Sequence, residues 1–174
     1  LWTQACKYSM PSPQKAKGNA FERDTAKHLS DVFGLNFTRV PTSGAMTGGM
    51  NADVLARLSN SQKLLLEGDL IPPDEMYKMK IECKAHKDIS FSKFYSENKM
   101  LDSWLEQSYS DEKVWFLIFK INNQGKFVAF NTSVFENCNR LDGANYLVYK
   151  EMNIVTSLDG FFEKYRDVLL RICG

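Results

Sequence analysis

Paired cysteines, histidines and net charge are all scarce in this sequence of 174 residues, and each scarcity excludes a class of protein. The four cysteines are scattered and form no CxxC pair, which argues against a structural zinc site and against a disulfide scaffold. The two histidines, His28 and His86, are not assigned as metal ligands. A reducing cytoplasm is therefore the expected compartment.

Long apolar runs are also missing, and none approaches the length of a membrane span. The first residues, LWTQACKYS, lack the apolar centre of a signal peptide, so we expect a soluble protein without a membrane partner. The sequence starts with Leu and has its first methionine at Met10, so residues 1–9 are expected to be vector-derived. Residues 1–16 are expected to be an N-terminal extension, partly vector-derived or flexible. Residues 17–174 are expected to form a single domain that ends in a strand and a helix.

The net charge of +1 is low for a protein that binds nucleic acid, but the charged residues are unevenly distributed. Lysines cluster at 15–17 and at 78–87, whereas acidic residues collect at 97–112. The small overall charge therefore hides a local asymmetry.

Hydrophobic periodicity predicts a chain of alternating helices and strands. The apolar run VWFLIFKI, without alternation, is typical of a central strand that is covered on both sides. Residues 51–62 remain ambiguous between helix and strand. The predicted helices cover 19–33, 92–107 and 158–172, and the predicted strands cover 35–41, 63–71, 77–86, 114–121, 126–131 and 146–150. This order indicates a mixed sheet flanked by helices.

The strand predicted at 77–86 separates apolar from charged side chains at a period of two. The apolar face consists of Tyr77, Met79, Ile81 and Cys83, and the charged face of Lys78, Lys80, Glu82 and Lys84. Glu82 and Lys84 therefore lie side by side and point the same way. They are either part of an ordinary solvated face or the working edge of a site.

Two further carboxylates can reach this edge. Asp69 ends the strand-like KLLLEGD, and a turn containing prolines leads from it directly to Glu82 and Lys84. Glu22 lies beside the apolar stripe of the first helix, from which it can approach the same corner. Magnesium prefers oxygen ligands such as carboxylates, and hydrolysis of a phosphodiester also needs a cation that orients water and offsets developing charge.

Glu22, Asp69 and the triplet Glu82-Cys83-Lys84 together resemble the PD-(D/E)xK, or restriction-endonuclease-like, nuclease superfamily. More narrowly, GNAFERDTAKHLSDVFGLNFTRVPTSGA with GDLI and IECK is similar to Holliday junction resolvases of archaeal and phage type, over about residues 17–130. The resemblance implies an α/β restriction-endonuclease-like fold, with a mixed β-sheet flanked by helices. It departs from the family pattern at one position, because Gly68-Asp69 replaces the expected Pro-Asp.

The activity that the resemblance implies is metal-dependent cleavage of DNA, most specifically of branched DNA such as a Holliday junction, by a homodimer in a bacterial or phage-infected cell. Mg²⁺ is the implied cofactor, and Mn²⁺ can substitute. The implied catalytic residues are Glu22, Asp69, Glu82 and Lys84. Asp69, Glu82 and the carbonyl of Cys83 hold the metal in this scheme. Lys84 orients the attacking water, and Glu22 supports a second metal or the water network.

Two aspartates compete for the metal-binding role. Asp53 follows the loop TSGAMTGGM closely, as the metal aspartate often does in junction resolvases. Asp69 needs only the turn IPPDEM to reach Glu82, and this shorter connection favours it.

Six residues are candidate DNA contacts. The loop TSGAMTGGM is not a P-loop, because no Gly-Lys-Ser/Thr closes it; it is either a flexible connection or a segment whose amides and hydroxyls contact phosphates. Gln107 matches a glutamine that many such nucleases place near the site, or it is an ordinary surface residue. The candidate contacts are Lys17, Arg39, Thr42, Ser43, Lys87 and Gln107.

Two other functions stay open. One is a general or differently structure-specific nuclease of phage type, and the other is a DNA-binding module that kept the fold but lost cleavage. The intact Asp69, Glu82 and Lys84 argue against the second alternative.

Overall fold

A computed structural model of the chain describes residues 13–40, 67–90, 93 and 96–174. Within these residues the chain forms helices and strands in the following order. They are α1 (Pro13–Phe33), β1 (Thr38–Arg39), β2 (Leu70–Ile71), β3 (Met79–His86), α2 (Lys99–Ser108), β4 (Val114–Ile121), β5 (Gly125–Asn131), α3 (Thr132–Asn137), β6 (Tyr146–Tyr149), β7 (Asn153–Ser157), α4 (Phe161–Lys164) and α5 (Arg166–Cys173). Short 3₁₀ turns at Asp74–Met76 and Asn139–Leu141 connect them.

The described strands form one seven-stranded sheet in the order β1-β2-β3-β4-β5-β7-β6. Strands β3 and β4 are parallel, and the other neighbouring pairs are antiparallel. A parallel pair needs a crossover connection, and the segment that carries α2 supplies it. The architecture confirms the predicted α/β class with a mixed sheet between helices.

Strand β4 lies at the centre of the sheet and is buried on both faces, as its unbroken apolar sequence predicts. Phe116 and Ile118 belong to a core shared with α1, α4 and α5. Leu117 and Phe119 belong to a second core that includes Trp104 of α2. The sheet is therefore sandwiched between two layers of helices.

Strand β3 divides its side chains as predicted, with one exception. Met79, Ile81 and Cys83 are buried in the core that contains α1, and Glu82 and Lys84 are half-buried on the other face. The prediction was wrong for Tyr77, which is 59% exposed because it lies in the turn before β3.

Several predicted boundaries differ from the observed ones. Helix α2 begins only at Lys99, because the side chain of Asn98 accepts a hydrogen bond from the amide of Leu101 and caps the helix there. The C-terminal helix is interrupted at Tyr165, which has φ −105° and ψ 15°. Helix α3 and strand β7 were not predicted.

The first helix and the second strand also differ from prediction. Helix α1 begins at Pro13, so it runs across the boundary predicted at residue 16. Only Leu70–Ile71 of the strand predicted at 63–71 is a strand in the described part, and 63–66 lie outside it. The ambiguous 51–62 also lie outside the described residues. No helix among the described residues is long and apolar enough to cross a membrane.

Candidate active site

Asp69 lies at the corner where β1, β2 and β3 meet. Its backbone amide donates to the carbonyl oxygen of Ile81 at 2.8 Å, and its own carbonyl accepts from the amide of Val40 at 2.9 Å. These bonds fix the backbone of Asp69 between the two neighbouring strands. The Cα atom of Asp69, from which the side chain projects, is therefore held in a defined position just before β2 begins.

The carboxylate of Asp69 is directed at the middle of the Glu82-Cys83-Lys84 triplet. Its Oδ2 accepts a hydrogen bond from the backbone amide of Cys83 at 2.8 Å. Pairing of Leu70 with Ile81 in the antiparallel β2–β3 ladder sets this register. Sequence reasoning predicted that a turn brings Asp69 to the triplet, and the structure brings these residues together.

Glu82 and Lys84 form an ion pair on the face of β3 opposite the α1 core. The Lys84 Nζ lies 2.5 Å from Glu82 Oε1, and both side chains are largely buried, at 23% and 13% exposed respectively. A charge-assisted hydrogen bond of this kind holds the ammonium beside the carboxylate. The ammonium group of Lys84 is therefore positioned at the same corner as the carboxylate of Asp69.

Glu22 of α1 is buried, at 8% exposed. Its Oε2 pairs with Nε of Arg39 in β1, and a second nitrogen of Arg39 donates to Oδ1 of Asn19 at 2.9 Å. Arg39 therefore links α1 to the edge of the sheet. The structure places it within the site rather than out in solvent, and the predicted DNA contact by Arg39 stays untested.

The carboxylates at this corner interact electrostatically. Burial raises the pKa of Asp69 to about 6, and the neighbouring Glu82 and Glu22 act in the same direction. The Cys83 amide and the Lys84 ammonium oppose this shift but do not cancel it. Among the described residues, the corner therefore holds more carboxylate charge than Arg39 and Lys84 neutralise.

The chemistry of these donors fits a hard divalent cation. The groups are carboxylate oxygens, which Mg²⁺ and Mn²⁺ prefer, and Mg²⁺ sites need only one or two of them because water and substrate complete the shell. Burial is the main cause of the raised pKa of Asp69, and a cation would offset the repulsion from Glu82 and Glu22 that adds to it. No cluster of three or more His, Cys, Asp or Glu residues arranged to hold a metal exists among the described residues, so a site here depends on the Asp69–Glu82 pair.

The thiol of Cys83 takes no part in this arrangement. It is buried in the core beside Thr25, and burial raises its pKa well above the usual range. Only the backbone of Cys83 reaches the site, through the amide that binds Asp69. The predicted metal contact through the Cys83 carbonyl stays a prediction.

The remaining predicted contacts lie in different places. Gln107 is exposed on α2, and its carbonyl oxygen accepts a hydrogen bond from Lys80 Nζ at 3.1 Å. Lys17 and Lys87 come together at a cavity beyond the end of β3. The predicted residues Thr42, Ser43 and Asp53 lie outside the described residues.

Sequence reasoning missed three residues that shape this region. Asn19 accepts a hydrogen bond from Arg39. Its position in the sequence, one helical turn before Glu22, could have indicated that it lies beside the site. Lys120 lines the cavity together with Lys17 and Lys87, and it is the one charged residue in the apolar run VWFLIFKI. Gly68 positions Asp69. The sequence showed Gly68 only as a departure from the expected proline, and that departure could have indicated its role in the backbone.

A family model described as "Phage putative PDDEXK endonuclease" matches residues 13–171, which include Glu22, Asp69, Glu82 and Lys84. Comparison with curated proteins and with solved structures gave no match.

Proposed function

The chain belongs to the phage PDDEXK endonuclease family of the PD-(D/E)xK superfamily, and from this membership we propose that it hydrolyses phosphodiester bonds in DNA as a divalent-metal-dependent endonuclease. Its mixed sheet with flanking helices is consistent with the restriction-endonuclease-like fold of that superfamily.

One observation carries the proposal. The Asp69 carboxylate binds the amide at the centre of the Glu82-Cys83-Lys84 triplet, so two acids and one lysine from separate chain segments meet at one corner. The superfamily takes its name from this constellation. The raised pKa of Asp69 supports a functional role, because a merely structural carboxylate would be expected to gain a neutralising partner.

Asp69 and Glu82 would hold the metal, which is Mg²⁺ in this proposal, with Mn²⁺ as a substitute. The bound ion supplies positive charge that offsets the charge developing on the phosphate during hydrolysis. Lys84 holds its ammonium beside Glu82, where it can donate to a water molecule or to a phosphate oxygen. In this position Lys84 orients the attacking water.

Glu22 has a supporting role in this scheme. Arg39 fixes its carboxylate on the α1 side of the corner, and Glu22 contributes to the raised pKa of Asp69. We propose that Glu22 supports the water network or a second cation, and that the ion pair with Arg39 holds the Glu22 carboxylate in position.

The finer proposal concerns the substrate. Residues 17–130 resemble junction resolvases, which favours branched DNA such as a four-way junction, cut by a homodimer. A general nuclease that acts on ordinary duplexes, single strands or ends is the second candidate. A DNA-binding module without cleavage is disfavoured, because Asp69, Glu82 and Lys84 are all present and assembled.

One cleavage experiment tests the proposal. The protein is incubated with a labelled four-way junction, a matching duplex and each single strand, in Mg²⁺, in Mn²⁺ and in EDTA. Cleavage in either metal and none in EDTA is the expected result, with the junction cut fastest. Equal cutting of all substrates would support the general nuclease, and no cutting of any substrate would contradict the enzymatic proposal.

A further inference from the structure

The ion pair of Glu22 with Arg39 joins α1 to the edge strand β1, across 17 positions of the chain. Arg39 pairs across the β1–β2 ladder with Leu70, the residue after Asp69. The amide of Val40, the next residue along β1, donates to the carbonyl of Asp69 at 2.9 Å. The backbone of Arg39 is therefore fixed beside the aspartate that the proposed metal needs.

The ion pair engages the carboxylate that is proposed to support a second cation or the water network. Glu22 Oε2 accepts from Nε of Arg39, and another nitrogen of Arg39 donates to Oδ1 of Asn19 at 2.9 Å. Glu22 is nevertheless within electrostatic reach of Asp69, because it adds to the raised pKa of Asp69. In this structure Glu22 is thus close to the metal site but bonded to a cation of the protein itself.

Arg39 is more accessible to a ligand than the carboxylate that it binds. Its side chain is 22% exposed, against 11% for the side chain of Glu22. A guanidinium binds carboxylates and phosphates through the same planar set of N–H groups, so the two anions compete for it. Because the backbone of Asp69 bonds to the residue next to Arg39, a DNA strand that is cut at Asp69 also meets β1.

We infer that Arg39 exchanges Glu22 for a phosphate of the DNA, and that the released carboxylate of Glu22 then turns to the metal site beside Asp69; this inference rests on the proposed nuclease function. The ion pair holds Glu22 in position until DNA arrives. One phosphate then replaces one carboxylate on the guanidinium, and no proton is transferred. The affinity of the protein for a divalent cation thereby depends on whether DNA is bound.

This coupling is measurable without any cleavage. DNA should raise the affinity for a divalent cation, and the cation should raise the affinity for DNA by the same factor, because linkage between two binding sites is reciprocal. We expect a factor of about 30, which lies within the usual range of such couplings. The cation site is then completed chiefly on DNA, which restricts metal-dependent chemistry to the bound substrate.

Calorimetric titration with Ca²⁺ tests the exchange. Ca²⁺ takes oxygen ligands as Mg²⁺ does, and it is titrated into the protein alone and into the protein saturated with a four-way junction or a duplex, whichever binds more tightly. A titration of DNA alone is subtracted, and a gel verifies that the DNA stays intact. In Arg39→Gln, the Ca²⁺ affinity of the free protein should rise about tenfold, and the gain from DNA should fall from about 30-fold to about threefold.

The variant Glu22→Gln separates the exchange from the simple loss of a positive charge. If Arg39 acts through Glu22, adding Arg39→Gln to Glu22→Gln should change Ca²⁺ affinity less than about twofold. The matched control is Arg171→Gln, which removes an exposed arginine from α5 and should change Ca²⁺ affinity less than about twofold with or without DNA. Melting temperatures verify that all variants are folded.

Three results would overturn the inference. A lower Ca²⁺ affinity of free Arg39→Gln would show that Arg39 only positions Glu22 for the cation. An equal rise in the presence and absence of the Glu22 carboxylate would assign the effect to the lost charge. An undiminished gain from DNA in Arg39→Gln would show that Arg39 keeps its partner.

Failure of the nuclease gives a different result. Coupling of Ca²⁺ and DNA as expected, with no cleavage of any DNA in Mg²⁺ or Mn²⁺, would contradict the proposed function and leave the exchange standing. Metal-dependent cleavage in which Arg39→Gln does not alter the coupling would contradict the exchange alone.

Discussion

Gly68 and Ile81 approach so closely that a Cβ atom at position 68 would lie 2.5 Å from the carbonyl oxygen of Ile81. Gly68 also has φ +88°, a conformation that proline cannot adopt and that other residues adopt only with strain. Proline therefore does not fit at position 68 of this chain, where Gly-Asp stands in place of the expected Pro-Asp. The close approach allows the Asp69 amide to bond Ile81 and its carboxylate to reach Cys83.

Substitution of Gly68 by alanine should therefore damage both the fold and the site. We expect Gly68→Ala to lower the free energy of unfolding by about 3 kcal/mol, because a left-handed backbone and a steric clash both add cost. Gly143→Ala is the control, since φ is +73° there but no atom lies within 4 Å of the added Cβ, and it should cost about 1 kcal/mol. Urea denaturation measures both, and equal losses would show that the clash is relieved.

The ion pair of Glu82 and Lys84 should be essential for cleavage but not for binding. Lys84→Ala and Glu82→Gln should each lower the cleavage rate by about 10²–10³, because each removes a charged group that acts on the reacting phosphate, metal or water. Lys80→Ala is the control on the same face of β3, where Nζ bonds the carbonyls of Gln107 and Tyr109. It should reduce stability by about 1 kcal/mol and leave cleavage within about threefold. Near wild-type cleavage by Lys84→Ala would disprove the proposed mechanism.

Asp69 rather than Asp53 should be the essential aspartate. Asp69→Asn should abolish metal-dependent cleavage, because the amide can still accept from Cys83 but no longer carries the charge that a metal needs. Asp53→Asn should retain most activity. Single-turnover cleavage rates at saturating Mg²⁺ measure both, and the reverse pattern would move the metal site to Asp53.

The raised pKa of Asp69 predicts how pH changes stability. The folded-state pKa of about 6 exceeds the ordinary value of 3.8, so protonation favours the folded state. This contribution is complete below pH 4 and is lost as the pH rises through 6. At pH 8 in EDTA, Asp69→Asn should therefore be more stable than the wild type, by about 3 kcal/mol, and the gap should close below pH 4.

Metal should reverse this order. Mg²⁺ should raise the melting temperature of the wild type at pH 8 but not that of Asp69→Asn, because only the carboxylate binds the cation. The exposed Asp159→Asn serves as the control and should follow the wild type in both conditions. A wild type that is more stable than Asp69→Asn in EDTA at pH 8 would contradict the electrostatic description of the corner.

A dimer is expected if the substrate is a junction. Symmetric cutting of a four-way junction needs two sites related by a twofold axis, which a C2 dimer provides. Light scattering coupled to size exclusion, at micromolar concentration with and without junction DNA, should give the mass of two chains. A monomer under both conditions would favour the general nuclease instead.

Much of the fold followed from local pattern alone. Strands β3 and β4 were predicted within two residues, because alternation in YKMKIECKAH and the unbroken run VWFLIFKI are direct consequences of burial on one face or on both. Helix α3 and strand β7 were missed, since both are short and carry polar residues such as Asn137 and Asn153 that local propensity does not assign to a helix or a strand.

By itself the sequence determined which chemical groups the site contains, namely carboxylates and an ammonium. It also determined that Glu82 and Lys84 point the same way, because a period of two is a local property of any strand. Tertiary structure decided the rest. The ion pair of Glu22 with Arg39 depends on how α1 packs beside β1, 17 residues along the chain. The cavity beyond the end of β3 depends on the parallel register of β3 and β4, which pairs Lys120 with Ala85, two residues before Lys87. Such contacts arise from packing between distant segments, and no spacing within one segment encodes them.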